Sequence, residues 1–261
     1  MKRRFAVLVF LLPICLALSS LPVFAESGRE VSIPSGNDTV RALIYEPTGK
    51  AAKASGKRPG LIVIHEWWGL NDWVKQQAQQ FADQGYVAVA VDLYRGKVAT
   101  NAETAHELMR GLPQDRGIRS LTAAAAWLAQ QPNVDPQRIG AIGWCMGGGY
   151  AMQLAVADPN LNAVAINYGA LPTDHSALEQ IHAAVLGNFG GLDQGITPDD
   201  VHAFAAAMQA LGKPVDVKIY PDAGHAFENP SNQSGYRPAD TQDAQARYQR
   251  FLADHLHPAV Q

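Results

Sequence analysis

Gly143-Trp144-Cys145-Met146-Gly147-Gly148 sets a cysteine between glycines, directly after the apolar run 139–142 and directly before a helix-like stretch, 150–157. Read as strand, sharp turn and helix, the segment is a nucleophile elbow. Such a turn pushes one side chain out at its tip and needs small neighbours where backbones pass too close for a Cβ. Cysteine stands here where serine is usual. Taken alone, the string also reads as a glycine-rich helix start with a buried apolar thiol, since free cysteine is among the most buried residue types.

Working outward, short apolar runs at 61–64, 87–91, 139–142, 163–166, 184–186 and 215–219 alternate with helical patterns near 73–84, 102–110, 117–131, 147–157, 199–211 and 241–256. Continuous apolar strands separated by amphipathic helices predict a mostly parallel sheet covered on both faces, an α/β class. Residues 31–33 and 40–45 flank Ser35-Gly36-Asn37-Asp38 and predict an N-terminal antiparallel hairpin, followed by a polar loop over 48–57. No repeat or low-complexity linker breaks the pattern, so residues 26–261 are expected to form a single domain.

In open parallel sheets, sites gather beyond the carboxyl ends of the strands. The residues that follow the runs are His65-Glu66-Trp67-Trp68-Gly69, Asp92-Leu93-Tyr94-Arg95, Cys145, Asn167-Tyr168-Gly169, Gly190-Gly191-Leu192-Asp193 and Tyr220-Pro221-Asp222-Ala223-Gly224-His225. Cys145, Asp193 and His225 thus occur in the nucleophile, acid, histidine order of the α/β-hydrolase triad. A thiol paired with imidazole is activated toward the thiolate, and a carboxylate on the far ring nitrogen fixes tautomer and orientation. Asp222 competes for the acid role but lies three residues before His225 in a turn, and Asp193 could instead cap the helix near Thr197.

The chain has 261 residues, 47% hydrophobic and 17% charged, with a formal net charge of -3 that gives no footprint for nucleic acid or an anionic membrane. Lys2, Arg3 and Arg4, the apolar stretch 5–18 and Val23-Phe24-Ala25 read as a secretory signal peptide, residues 1–25, cleaved after Ala25. Export to the periplasm or outside, with no stable membrane association after cleavage, is the expectation. Pro13 interrupts the apolar run, which is shorter than the roughly 20 residues that span a bilayer. Cleavage removes Cys15 and leaves Cys145 as the sole cysteine, so no intrachain disulfide is expected. His65, His106, His175, His182 and His202 show no metal-ligand spacing, and neither metal nor cofactor is expected.

Over residues 31–256 the sequence resembles the dienelactone hydrolase family of α/β-hydrolases. The likeness rests on His65-Glu66-Trp67-Trp68-Gly69, Asp92-Leu93-Tyr94, Gly143-Trp144-Cys145-Met146-Gly147-Gly148, Asp193 and Gly224-His225-Ala226-Phe227. It implies a hydrolase of small esters or lactones with Cys145 as nucleophile, His225 as general base and Asp193 as its orienting acid. It further implies Glu66 as the glutamate that controls thiol ionisation, the backbone N–H groups of Trp67 and Met146 as the oxyanion hole, and Tyr168 as a pocket-lining tyrosine.

The best-known members hold a substrate carboxylate with two arginines. Here Arg95 directly follows Tyr94, but Ala226-Phe227-Glu228-Asn229 contains none, so half of that clamp is missing. A mostly apolar pocket with Trp67, Trp68, Tyr94, Tyr168 and Phe227 is expected, with Arg95 as its one cation unless Arg237 or Lys97 folds over it. Two other functions compete: a thiol-redox protein using Cys145, which would lack a resolving cysteine, and a binding protein on the same fold without turnover.

Overall fold

A computed structural model of the chain describes residues 28–53 and 56–257. The expected signal peptide lies outside the described residues. Strands β1 (Arg29–Ser35) and β2 (Asp38–Tyr45) form the antiparallel hairpin, and β2 pairs antiparallel with β4 (Val87–Asp92). From β4 onward the pairing is parallel through β3 (Arg58–Ile64), β5 (Val134–Trp144), β6 (Ala163–Asn167), β7 (Ala184–Gly190) and β8 (Val215–Tyr220). The eight strands lie in the order β1-β2-β4-β3-β5-β6-β7-β8. The alternation of runs predicts this mostly parallel α/β sheet, and the family resemblance implies its α/β-hydrolase form.

The helices are α1 (Gly49–Ala52), α2 (Asp72–Asp83), α3 (Ala102–Arg110), α4 (Gln114–Ala129), α5 (Met146–Ala157), α6 (His175–Glu179), α7 (Pro198–Ala210) and α8 (Pro238–Leu256). The sequence pattern misses α1 and α6, which are too short to show a helical period. Among the described residues no helix is long and apolar enough to cross a membrane.

Strand β3 shows why the runs are continuous rather than alternating. Leu61 and Val63 pack into a core with Val74 and Phe81 of α2 and Tyr248 and Leu252 of α8. Ile62 and Ile64 point to the opposite face, into a core with Leu121 of α4, Met152 of α5 and Phe204 of α7. Both faces are therefore dry, and each such side chain contributes on the order of 1.5–3 kcal/mol by its burial.

Between β5 and α5 the chain makes the elbow. Cys145 has φ 54° and ψ -120°, a backbone conformation that costs a side-chain-bearing residue on the order of 1–3 kcal/mol. Its N–H donates to the Asn167 carbonyl at 2.9 Å, so the neighbouring strand holds the turn in place. The flanking glycines are required by contact: a Cβ on Gly143 would overlap the backbone of Gly147, and one on Gly147 would overlap the carbonyls of Ile64 and His65. Because those neighbours are backbone atoms of β3 and α5, they have no side-chain freedom with which to yield. Gly147→Ala should therefore lower stability by about 1–3 kcal/mol or more in urea unfolding, and an unchanged midpoint would show that the β3–α5 approach is looser than described.

Candidate active site

Five of the six parallel strands deliver a residue to the site at one end of the sheet. His65 and Glu66 follow β3, Cys145 follows β5, Tyr168 follows β6, and the loops after β7 and β8 carry Asp193 and His225. His65 is fully buried: its Nε2 accepts the Leu93 N–H at 3.2 Å, so Nδ1 bears the hydrogen and donates to the Glu66 carbonyl at 2.6 Å. Burial pushes its pKa down and keeps the ring neutral. A histidine without metal-ligand spacing thus ties the end of β3 to the end of β4 and aims Glu66 and Trp67.

Cys145 Sγ lies 3.1 Å from His225 Nε2, and His225 Nδ1 lies 2.7 Å from Asp193 Oδ2. The second Asp193 oxygen accepts the N–H groups of Gly195 at 2.8 Å and Ile196 at 3.1 Å. Burial alone would raise the Asp193 carboxyl, but the bonds from His225 and these amides outweigh it and hold the pKa below the ordinary range. Burial alone would lower His225, yet its bonds to Asp193 and Cys145 push it up to about 10. Thr197 caps α7 through a capping box with Asp200, which leaves Asp193 free of that duty. Asp222, the other candidate acid, offers its carbonyl to Arg237 Nε at 3.1 Å.

Glu66 is 1% exposed. One of its oxygens accepts the Asn229 side-chain N–H at 2.6 Å, and the other accepts the Tyr168 hydroxyl at 3.4 Å. Burial pushes its carboxyl up to about 7 against the pull of those bonds. Burial and the Glu66 charge also raise Tyr168 well above its ordinary value, so its O–H stays a donor. The thiol itself is engaged by His225, while Glu66 is held by Asn229 and Tyr168. Backbone strain concentrates here: of the four non-glycine residues with positive φ among those described, Cys145, Tyr168 and Ala226 all line the cavity.

That cavity is about 1100 Å³. Trp67, Trp68, Met109, Met146, Tyr150 and Ile196 supply its apolar surface, and Gln114, Gln153, Asn229, Asn232 and Gln233 an uncharged polar one. No Lys or Arg is among its described lining residues. Three expected pocket residues are corrected. Arg95 is exposed and paired with Asp38, because β2 runs antiparallel to β4 with Arg41 opposite Asp92, and three residues further on that register brings Asp38 to Arg95. Tyr94 is buried behind the wall, its hydroxyl 3.2 Å from Met146 Sδ. Phe227 is buried beneath Tyr168 and Tyr220. Arg237 is spent on the carbonyls of Asp222, Ser234 and Tyr236, and Lys97 lines a separate hollow with Arg41 and Asp72. Among the described residues no group of three or more His, Cys, Asp or Glu could hold a metal ion.

The dienelactone hydrolase family matches residues 40–256. The chain belongs to the dienelactone hydrolase family. It is thereby a hydrolase of the carboxylic ester and lactone type. A protein of Methylorubrum extorquens named as a candidate carboxymethylenebutenolidase is 31% identical over 237 residues, covering 85% of this chain and 79% of the relative. A solved structure of a candidate dienelactone hydrolase from Klebsiella pneumoniae is 27% identical with a TM-score of 0.77, covering 87% of this chain and 98% of that one. A dienelactone hydrolase-like promiscuous phosphotriesterase from metagenomic libraries is 25% identical with a TM-score of 0.78, at the same coverage.

Sequence reasoning missed what this dienelactone hydrolase family member does with Asn229, which donates to Glu66 from a position where a cation was sought, and with Glu228, which is buried. Neither carries a motif of its own, and only the fold of the loop after His225 brings them inward. A carboxyl whose folded pKa is raised, as for Glu66, binds its proton more tightly folded than unfolded, so stability falls as pH rises from the unfolded value toward about 7. Glu66→Gln should match wild type in melting temperature near pH 5 and exceed it at pH 8. Parallel melting curves across that range would show Glu66 to be solvated rather than buried.

Proposed function

We propose that this protein is an exported hydrolase of small, uncharged esters or lactones that works through an acyl-thioester on Cys145. The observation that carries the reading is the hydrogen-bonded series Cys145–His225–Asp193 at the edge of the cavity. Cys145 Sγ attacks the substrate carbonyl, its proton having passed to His225 Nε2. Asp193 holds the ring and offsets the charge of the imidazolium. The carbonyl oxygen, now negative, is received by the N–H groups of Trp67 and Met146. Met146 opens α5, where the first N–H groups have no partner within the helix and the dipole favours an anion. Oxyanion donors of this kind contribute roughly a hundred- to a thousandfold each in rate.

Collapse of the tetrahedral adduct breaks the ester bond, and the departing alkoxide takes the proton from His225. Water, deprotonated by the same imidazole, then cleaves the thioester and returns the thiol. Glu66, held by Asn229 and Tyr168, is the carboxyl that lines this cavity and bears on the cycle through its charge.

The cavity's lining argues for the substrate's charge. A carboxylate entering it would lose its water with no Lys or Arg to meet it and with Glu66 already there. Cys145→Ala should abolish hydrolysis of an aryl ester while leaving the fold intact, and wild type quenched in turnover should carry the acyl mass on the Cys145 peptide; full activity in the variant would remove the nucleophile assignment. A neutral lactone should be preferred over its carboxylated analogue by about tenfold or more in kcat/KM, equivalent to about 1.4 kcal/mol. A preference of that size for the anion would mean that a cation reaches the site.

A further inference from the structure

Glu228 lies on the loop that carries His225 and is 1% exposed. Its Oε2 accepts the indole N–H of Trp144 at 3.2 Å. Its Oε1 stands 3.1 Å from the same end of the Asn167 side-chain amide that meets Asn188 Nδ2 at 2.9 Å. The titratable groups around it come from every neighbouring element: Glu66 after β3, Tyr168 after β6, Tyr220 at the end of β8 and Tyr248 on α8. No Lys or Arg is among the groups whose charge acts on it. A carboxylate there would be a buried charge without a counter-ion, the costliest arrangement a carboxyl can adopt.

The bonds around Asn167 depend on whether Glu228 carries a proton. With Oδ1 toward Glu228, Asn167 accepts from Asn188, and its Nδ2 donates to the Gly143 carbonyl at 3.4 Å. Glu228 Oε1 must then bear a hydrogen, because two bare oxygens at that separation repel. With the amide reversed, its N–H serves a carboxylate and its oxygen accepts the Trp144 indole N–H at 3.2 Å, but it gives up Gly143 and meets Asn188 favourably only if that amide, whose Oδ1 otherwise has no partner, turns as well. The Asn167 backbone carbonyl also accepts the Cys145 N–H. One amide therefore connects Glu228 to Gly143 on one side of the nucleophile and belongs to the residue that holds Cys145 itself.

We propose that Glu228 is a positioning residue, held as a neutral carboxylic acid, that fixes through Asn167 the backbone around Cys145. The proposal rests on Cys145 being the nucleophile. Burial pushes the Glu228 carboxyl up to about 8, with the Trp144 bond opposing and the Glu66 charge adding to the rise. Ionisation turns the Asn167 amide, loosens the elbow and lowers kcat, with KM little changed because Glu228 does not line the cavity.

Infrared spectra and pH–rate profiles of wild type and Glu228→Gln test this together. Wild type at pH 7 should show a protonated-carboxyl band that the variant lacks and that bleaches as pH rises through about 8. Glu66→Gln, measured alongside, identifies the part of the band that belongs to Glu66. Wild-type kcat should fall about tenfold between pH 7 and pH 9, as expected for one group titrating midway. Glu228→Gln, which keeps a neutral side chain of the same shape, should retain its pH 7 kcat within about threefold and lose that decline. The proposal is overturned if the band is missing at pH 7, or if the variant keeps the same alkaline decline. Should the variant fail to fold, carbon-13 NMR of wild type labelled at glutamate carboxyls decides, because no buried carboxyl titrating near 8 means no neutral Glu228. The infrared reading needs no turnover, so failure of the ester-hydrolase reading is distinguishable from failure here.

Discussion

The close passage of α5 over the end of β3 is the constraint on which the rest depends. Gly147 sits against the carbonyls of Ile64 and His65, and Gly143 against Gly147, with no room for a Cβ at either place. That contact forces the chain to leave β5 and enter α5 within one residue, and Cys145 absorbs the change with φ 54°. The thiol is thrust outward as a consequence, with a helix N-terminus immediately behind it. The strain persists because β6 clasps Cys145 through the Asn167 carbonyl and β3 is buried on both faces.

The electrostatics of the site divide into two parts with opposite logic. Asp193 and His225 form a charge-assisted pair in which each stabilises the ionised form of the other, and the thiol completes the series. Glu66 and Glu228 sit in a dry compartment that no Lys or Arg enters, where burial raises both carboxyls even though the His225 charge pulls Glu66 the other way. The first arrangement makes charge available at the Cys145 thiol, and the second withholds it from the surroundings. A cavity without Lys or Arg extends that second character to whatever enters it.

Much of this was legible in the chain. Continuous apolar runs such as 61–64 and 87–91 specify strands buried on both faces, and the parallel order follows from the helices between them. The elbow was legible because glycine spacing records a backbone contact, and the positions of Asp193 and His225 because loops after parallel strands converge on one end of the sheet. Arg95 misled because its placement depends on a partner strand: the antiparallel register of β2 delivers Asp38 to it, and nothing within Asp92-Leu93-Tyr94-Arg95 records that register. Tyr94 and Phe227 were read as pocket walls because an aromatic side chain in a site loop looks the same whether its ring faces the cavity or the core behind it.

By itself the sequence determined the fold, the elbow and the strand ends at which Cys145, Asp193 and His225 lie, since each is encoded in local spacing and in the alternation of buried elements. Only the tertiary structure decided which side chains meet. Glu66 bonded to Asn229, Glu228 beneath Trp144, and the exclusion of every described Lys and Arg from the cavity wall come from the packing of segments distant in the chain. Burial shifts a carboxyl by removing water, and whether water is removed depends on what the rest of the fold places above it.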